Sequence, residues 1–105
     1  MKQKKRYLLY AIEGQELDEK TARLLVRRSV YSFLGEHGAS EANVKFMEFD
    51  ATKQMFLLRC ALPTLEKTIA CLAFVISYNE KPIALRLQKM SGCVKHVWNE
   101  NKSSR

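Results

Sequence analysis

The chain has 105 residues, 47% of them hydrophobic, with 18 Lys and Arg against 11 Asp and Glu for a formal net charge of +7. That length describes one domain, burying roughly 65% of the surface its unfolded form exposes, and the charge favours a polyanionic partner, nucleic acid before an anionic membrane surface. The opening is polar and basic, and the apolar run behind it is far too short for a bilayer span or a signal core, so neither membrane insertion nor secretion is expected.

Residues 1–5 form a basic arm, expected to be flexible. Residues 6–13 predict a strand. Tyr7, Leu9 and Ala11 point one way and Leu8, Tyr10 and Ile12 the other, so both faces are apolar and the strand is central. Leu17-Asp18-Glu19-Lys20 opens a helix with Asp18 as cap and acid in the first turn. The helix runs to about Leu34 and stops at Gly35, with Gly38 beyond. Ala22, Leu25, Val26, Ser29 and Phe33 share its core face. Lys20, Arg23 and Arg27 lie opposite, with Leu24, Arg28 and Tyr31 beside them. Residues 37–42 connect to a second strand at 44–50, which a loop joins to a third at 55–62 as a hairpin.

Pro63-Thr64 opens a second helix over 64–78. Leu65, Ile69, Leu72, Ala73 and Ile76 make its core face. Ala70, Cys71, Phe74 and Tyr78 make the other face apolar too, and a two-layer domain of this size buries only one side of a helix. Residues 79–82 end the helix. A last strand spans 83–90, with Ile83, Leu85 and Leu87 inward and Ala84, Arg86 and Gln88 outward. The domain is thus 6–98, followed by a polar tail over 99–105.

The order is β-α-β-β-α-β. Right-handed crossovers turn it into a four-stranded antiparallel sheet with the first and third strands central and both helices on one face. This is an α+β fold, the ferredoxin-like or RRM-like sandwich. Fold does not set function, so the side chains must.

Catalytic patterns are missing. His37 and His96 sit in polar stretches, no Cys/His spacing suits a metal, and the three cysteines (Cys60, Cys71, Cys93) include no CxxC pair. The cysteines read as reduced thiols, two of them in apolar strand and helix patterns. Ferredoxin-like acylphosphatases need a glycine-rich anion loop after the first strand, and Glu13-Gly14-Gln15-Glu16 is acidic there. No catalytic residue and no bound cofactor are expected in this chain. An RRM needs aromatics on the open face of the central strands. Tyr7, Tyr10 and Phe56 are the available candidates, but Leu, Cys and Met fill most of the third strand.

The basic residues group at strand ends. Lys4, Lys5 and Arg6 lead into the first strand, Arg59 lies on the third, and Lys89 and Lys95 flank Ser91-Gly92. Gly92 lets a ligand approach the backbone and Ser91 can donate to a phosphate oxygen. These eight are the expected RNA-binding residues. Ala70, Cys71, Phe74 and Tyr78, exposed together on the second helix, are the expected protein interface.

Arg6-Tyr7-Leu8-Leu9-Tyr10, Phe33-Leu34-Gly35-Glu36-His37-Gly38, Leu58-Arg59-Cys60 and Ser91-Gly92 followed by Val94 together resemble the small α/β protein subunit family of archaeal and eukaryotic ribonuclease P, over residues 5–97. The resemblance implies a non-catalytic subunit of a ribonucleoprotein that removes the 5′ leader from precursor tRNA. It implies that the RNA carries the active site and its magnesium ions. Implied partners are the ribonuclease P RNA, a larger TIM-barrel-like protein subunit, other ribonuclease P proteins and a second copy of this chain. Two departures stand out: Cys93 occupies a place where threonine is common, and the loop 51–54 lacks a glycine often found there. The short length resembles archaeal members, implying a cytoplasmic protein; eukaryotic members would be nuclear. The alternatives are a stand-alone RRM-like RNA binder that stacks bases on Tyr7, Tyr10 or Phe56, and an RNA-independent adaptor whose basic residues serve solubility.

Overall fold

The computed structural model describes residues 4–94 and 98. Its elements are β1 (Lys5–Glu13), α1 (Glu19–Ala42), β2 (Lys45–Asp50), β3 (Met55–Ala61), a turn of 3-10 helix (Leu62–Thr64), α2 (Leu65–Ala73), β4 (Ser77–Tyr78), β5 (Lys81–Pro82) and β6 (Ala84–Ser91). The main sheet has the order β2-β3-β1-β6, antiparallel throughout, so the two doubly apolar strands are the central ones as expected.

The alternation along β1 divides the molecule. Leu8, Tyr10 and Ile12 face both helices and join Phe56, Leu58 and Cys60 of β3 with Ala22, Leu25, Val26, Val30 and Leu72 in the main core. Leu9 and Leu57 face the other way and are covered by Trp98, with Tyr7 and Met55 beside them. The main core holds an aromatic run: Tyr10 stacks on Phe56 at 5.5 Å between centroids, and Phe56 on Phe46 at 5.3 Å.

Asp18 caps α1 by accepting a hydrogen bond from the Thr21 amide at 2.8 Å, and the Thr21 side chain together with that amide holds its carboxyl below the usual carboxylate range. Gly35 does not end the helix. It takes φ +75° and bends it, and a further helical segment runs on to Ala42, closed by Asn43 in the left-handed region. The core stripe also shifts. Val30 is 3% exposed, whereas Phe33, expected inside, is 50% exposed, because positions 22, 26 and 30 form the straight i, i+4 row toward the sheet.

The second helix is shorter than its pattern predicts. It ends at Ala73, and Ser77-Tyr78 pairs with Lys81-Pro82 in a small hairpin. Asn79 and Glu80 both have positive φ, 54° and 66°, which is the type I′ turn that matches strand twist. Val75, Ile76 and Tyr78, β-branched or aromatic, suit this extended path better than a helix. Ile76, expected in the core, is 75% exposed. Gln15 ties the hairpin to the end of β1, its amide donating to the Tyr78 carbonyl at 2.9 Å and the Lys81 carbonyl at 3.0 Å. Among the described residues no helix is long and apolar enough to cross a membrane.

Candidate nucleic-acid interface

The sheet face away from the helices carries Arg59, Lys89 and Ser91 of the expected residues, whereas Arg6 pairs with Cys60 and so alternates to the helix side at the same end of the sheet. Antiparallel pairing brings the start of β1, the start of β2 and the ends of β3 and β6 to one end of the sheet. Tyr7 pairs with Arg59 and with Ser91, and Arg59 pairs with Lys45. Lys45, Arg59, Tyr7 and Ser91 therefore form one row across all four strands. The next row holds Glu48, Leu57, Leu9 and Lys89 by the same pairings. Trp98 covers its middle.

A bulge decides which way Lys89 and Ser91 point. Tyr10 pairs with Leu87 and Leu9 with Lys89, so Gln88 is an extra residue in β6. Were β6 to run through Gln88 as a regular strand, the alternation from Ile83 and Leu85 would carry Lys89 and Ser91 to the helix side. With the bulge they turn to the open face. Leu87, which precedes the bulge and pairs with the inward Tyr10, is still 38% exposed because β6 is an edge strand. A second bulge lies between Phe46 and Glu48 on β2. It keeps Phe46 and Phe49 both on the core side, and Lys45 with Glu48 on the open side.

Each expected contact residue can be located. Lys4 is exposed, and its carbonyl accepts from the Leu62 amide at 2.8 Å. Lys5 is already in the sheet, paired with Ala61, so the arm gives way to strand one residue earlier than predicted. Arg6 donates to the Lys5 carbonyl at 2.9 Å and lies beside Gly92, where a Cβ would stand 3.1 Å from its Nη1. Ser91 Oγ accepts from the Cys93 amide at 3.1 Å, leaving its hydroxyl hydrogen to donate elsewhere. Arg59 is half-buried, and its Nε is enclosed with no hydrogen-bond partner among the described residues. Such a donor is costly to leave unmet, and a guanidinium makes its strongest hydrogen bonds to anionic acceptors. Lys95 lies outside the described residues. Lys45 was not singled out by the sequence, because only the β2–β3 register places it beside Arg59.

The opposite end of this face is acidic. Glu48 and Asp50 line β2, Asp50 accepts from the Lys53 amide at 3.1 Å, and Glu13 pairs with Arg86. The open face is thus polarised, basic at the Ser91 end and acidic at the other. Among the described residues no three His, Cys, Asp or Glu side chains converge to hold a metal ion.

The aromatics sort against a base-stacking platform. Tyr10 and Phe56 are 2% and 0% exposed on the helix side, and burial raises the Tyr10 phenol well above its ordinary pKa. Of the three expected stacking residues Tyr7 alone reaches the open face, half-buried beside Leu9.

The expected protein interface is rearranged rather than assembled. Cys71 is buried and Tyr78 packs against the core from the small hairpin, so neither is presented with Phe74. Ala70 is half-buried. Phe74, 67% exposed, instead stacks on Phe33 of α1 at 5.1 Å, with Ile76 next to them along a groove between the helices. Burial pushes the Cys60 and Cys71 thiols up, while Cys93 is exposed.

The chain is similar to known proteins in sequence and in fold. The family model described as the Rpp14/Pop5 family matches residues 6–101. Ribonuclease P protein component 2 of Methanocaldococcus jannaschii is 28% identical over 96 residues, covering 90% of this chain and 70% of that protein. A chain in the cryo-EM structure of yeast ribonuclease MRP shares the fold, with a TM-score of 0.70, 13% identity, and coverage of 99% of this chain and 95% of that one.

Proposed function

The chain belongs to the Rpp14/Pop5 family, and from that premise we propose that it is a protein subunit of ribonuclease P, acting in the removal of the 5′ leader from precursor tRNA. The observation that carries its role is the basic row Lys45, Arg59 and Ser91 on the open sheet face, with Lys4, Arg6, Lys89 and Gly92 around it. The row meets the phosphate backbone of the RNA. Its cations neutralise phosphates and release counterions, and Ser91 and the Gly92 backbone add close, shape-dependent contacts. Cleavage belongs to the RNA and its magnesium ions, and this chain lowers the repulsion that opposes their folding. In an archaeal cell this takes place in the cytoplasm.

The exposed Phe33, Phe74 and Ile76 form a second surface on the opposite, helical layer, suited to a protein partner. A larger TIM-barrel-like subunit or a second copy of this chain is its occupant. Burial of Tyr10 and Phe56 disfavours the stand-alone RRM reading.

The test is affinity for a reconstituted ribonuclease P RNA across a salt series. Lys45→Glu with Arg59→Glu should weaken binding at least about tenfold and reduce the slope of log affinity against log salt by about two. Unchanged affinity and slope would overturn the assignment of this face.

A further inference from the structure

The basic residues of α1 take no part in the sheet face, yet they converge on a site of their own. Between α1, the segment beyond its Gly35 bend and the start of β2 lies a groove of about 450 Å³, within the range of small-ligand sites. Its floor is apolar: Val26 and Val30 are 3% exposed and Ala39 8%. Its walls are two guanidinium–aromatic pairs. Arg23 Cζ stands 5.0 Å from the centre of the Phe46 ring, and Arg27 Cζ 5.7 Å from that of Tyr31. Ser40 and Asn43 add polar groups at the far rim. Arg23 is also held by Glu19 at 2.7 Å, whereas Arg27 makes no ion pair among the described residues. The Gly35 bend is what brings Ala39 and Ser40 back to the groove.

Each part selects a ligand feature. A guanidinium held over a ring keeps its planar fork oriented, which suits a phosphate. Aromatic side chains and an apolar floor suit a flat, partly polar ring, and base stacking on aromatics is how unpaired RNA is held. A phosphate joined to such a ring is a nucleotide. We propose that this groove holds one unstacked nucleotide of RNA, its phosphate on Arg27 and Arg23 and its base against Val30 and Tyr31. The proposal rests on the ribonucleoprotein reading and adds a second RNA contact, on the helical layer across the sheet from the Arg59 row.

The test uses the full chain and a short single-stranded RNA carrying 4-thiouridine. Photocrosslinks should map to the peptide containing Tyr31. Arg27→Gln and Tyr31→Ala remove exposed side chains, so the thermal midpoint should hold while affinity falls about tenfold for each. Arg27→Gln should also lower the salt slope by about one, and Tyr31→Ala should leave it unchanged. If both variants bind RNA as the native chain does while Arg59→Gln weakens it, the groove is not an RNA site and the ribonucleoprotein reading stands. If none of the three changes binding, or the native chain binds no RNA, both fall. Loss of binding to an acidic peptide but not to RNA would assign the groove to a protein ligand and overturn the proposal.

Discussion

The two faces of the sheet are built from the same strands but serve opposite ends. On the helix side Leu8, Tyr10, Phe56, Leu58 and Cys60 are all but fully enclosed, and the polar groups that reach this layer are few. On the open side Leu9 and Leu57 are equally enclosed, among the described residues by Trp98 with Tyr7 and Met55 beside it, and charged residues stand directly beside them. One side is closed by elements that the chain itself supplies along their full length. The other is closed at its centre and left polar at its ends. A two-residue period thus lets β1 and β3 contribute to the core and to a charged surface with alternate side chains.

Stability should separate the faces most strongly. Phe56→Ala removes the ring between Tyr10 and Phe46 and should cost about 3–5 kcal/mol in urea unfolding. Leu57→Ala, on the open side, should cost less, about 2–3 kcal/mol, and should shift the emission of Trp98, the chain's one tryptophan. An equal loss for both would mean that the open face is packed as fully as the core.

Arg59→Met sharpens the contrast between stability and binding. The variant keeps the side-chain volume but removes an enclosed donor that lacks a partner among the described residues. Unfolding free energy should stay the same or rise by about 1 kcal/mol, while RNA affinity falls about tenfold. Clear destabilisation would show that Arg59 has a structural role the open face does not require.

The smallest effect is expected from deleting Gln88. The deletion removes the bulge while keeping Lys89 opposite Leu9 and Leu87 opposite Tyr10, so stability should move by no more than about 0.5 kcal/mol. Cross-strand contacts between Lys89 and Leu9 should persist by NMR. Their loss would mean that the bulge has a geometric role beyond facing Lys89 outward.

Much of this arrangement was legible before any coordinates. The Asp18 cap, the doubly apolar first and third strands and the β-α-β-β-α-β order are local signals, carried by side-chain type and spacing. The basic residues at strand ends were legible too, and pairing brings Arg6, Arg59, Lys89, Ser91 and Gly92 to one end of the sheet. Lys45 was not, because its place depends on a partner strand. Ile76 and Tyr78 were misplaced for a related reason: helical spacing sets Ile76 on the core face of the second helix and Tyr78 on its other face, but the helix ends at Ala73 and the chain turns back at Asn79-Glu80. A left-handed residue changes the path at small local energy cost and redirects the whole segment beyond it.

The amino-acid order by itself determined the β-α-β-β-α-β order (though not where the two helices end), which strands are central and where positive charge is concentrated. These properties come from hydrophobic period, capping chemistry and net charge, which act over a few residues. Tertiary structure decided the faces: that a bulge at Gln88 turns Lys89 and Ser91 outward, that Lys45 joins Arg59, that Trp98 closes the sheet over Leu9 and Leu57, and that Phe33 meets Phe74 at the surface. Each of these depends on register between distant segments, and a shift of one residue in a strand moves every side chain beyond it to the other face.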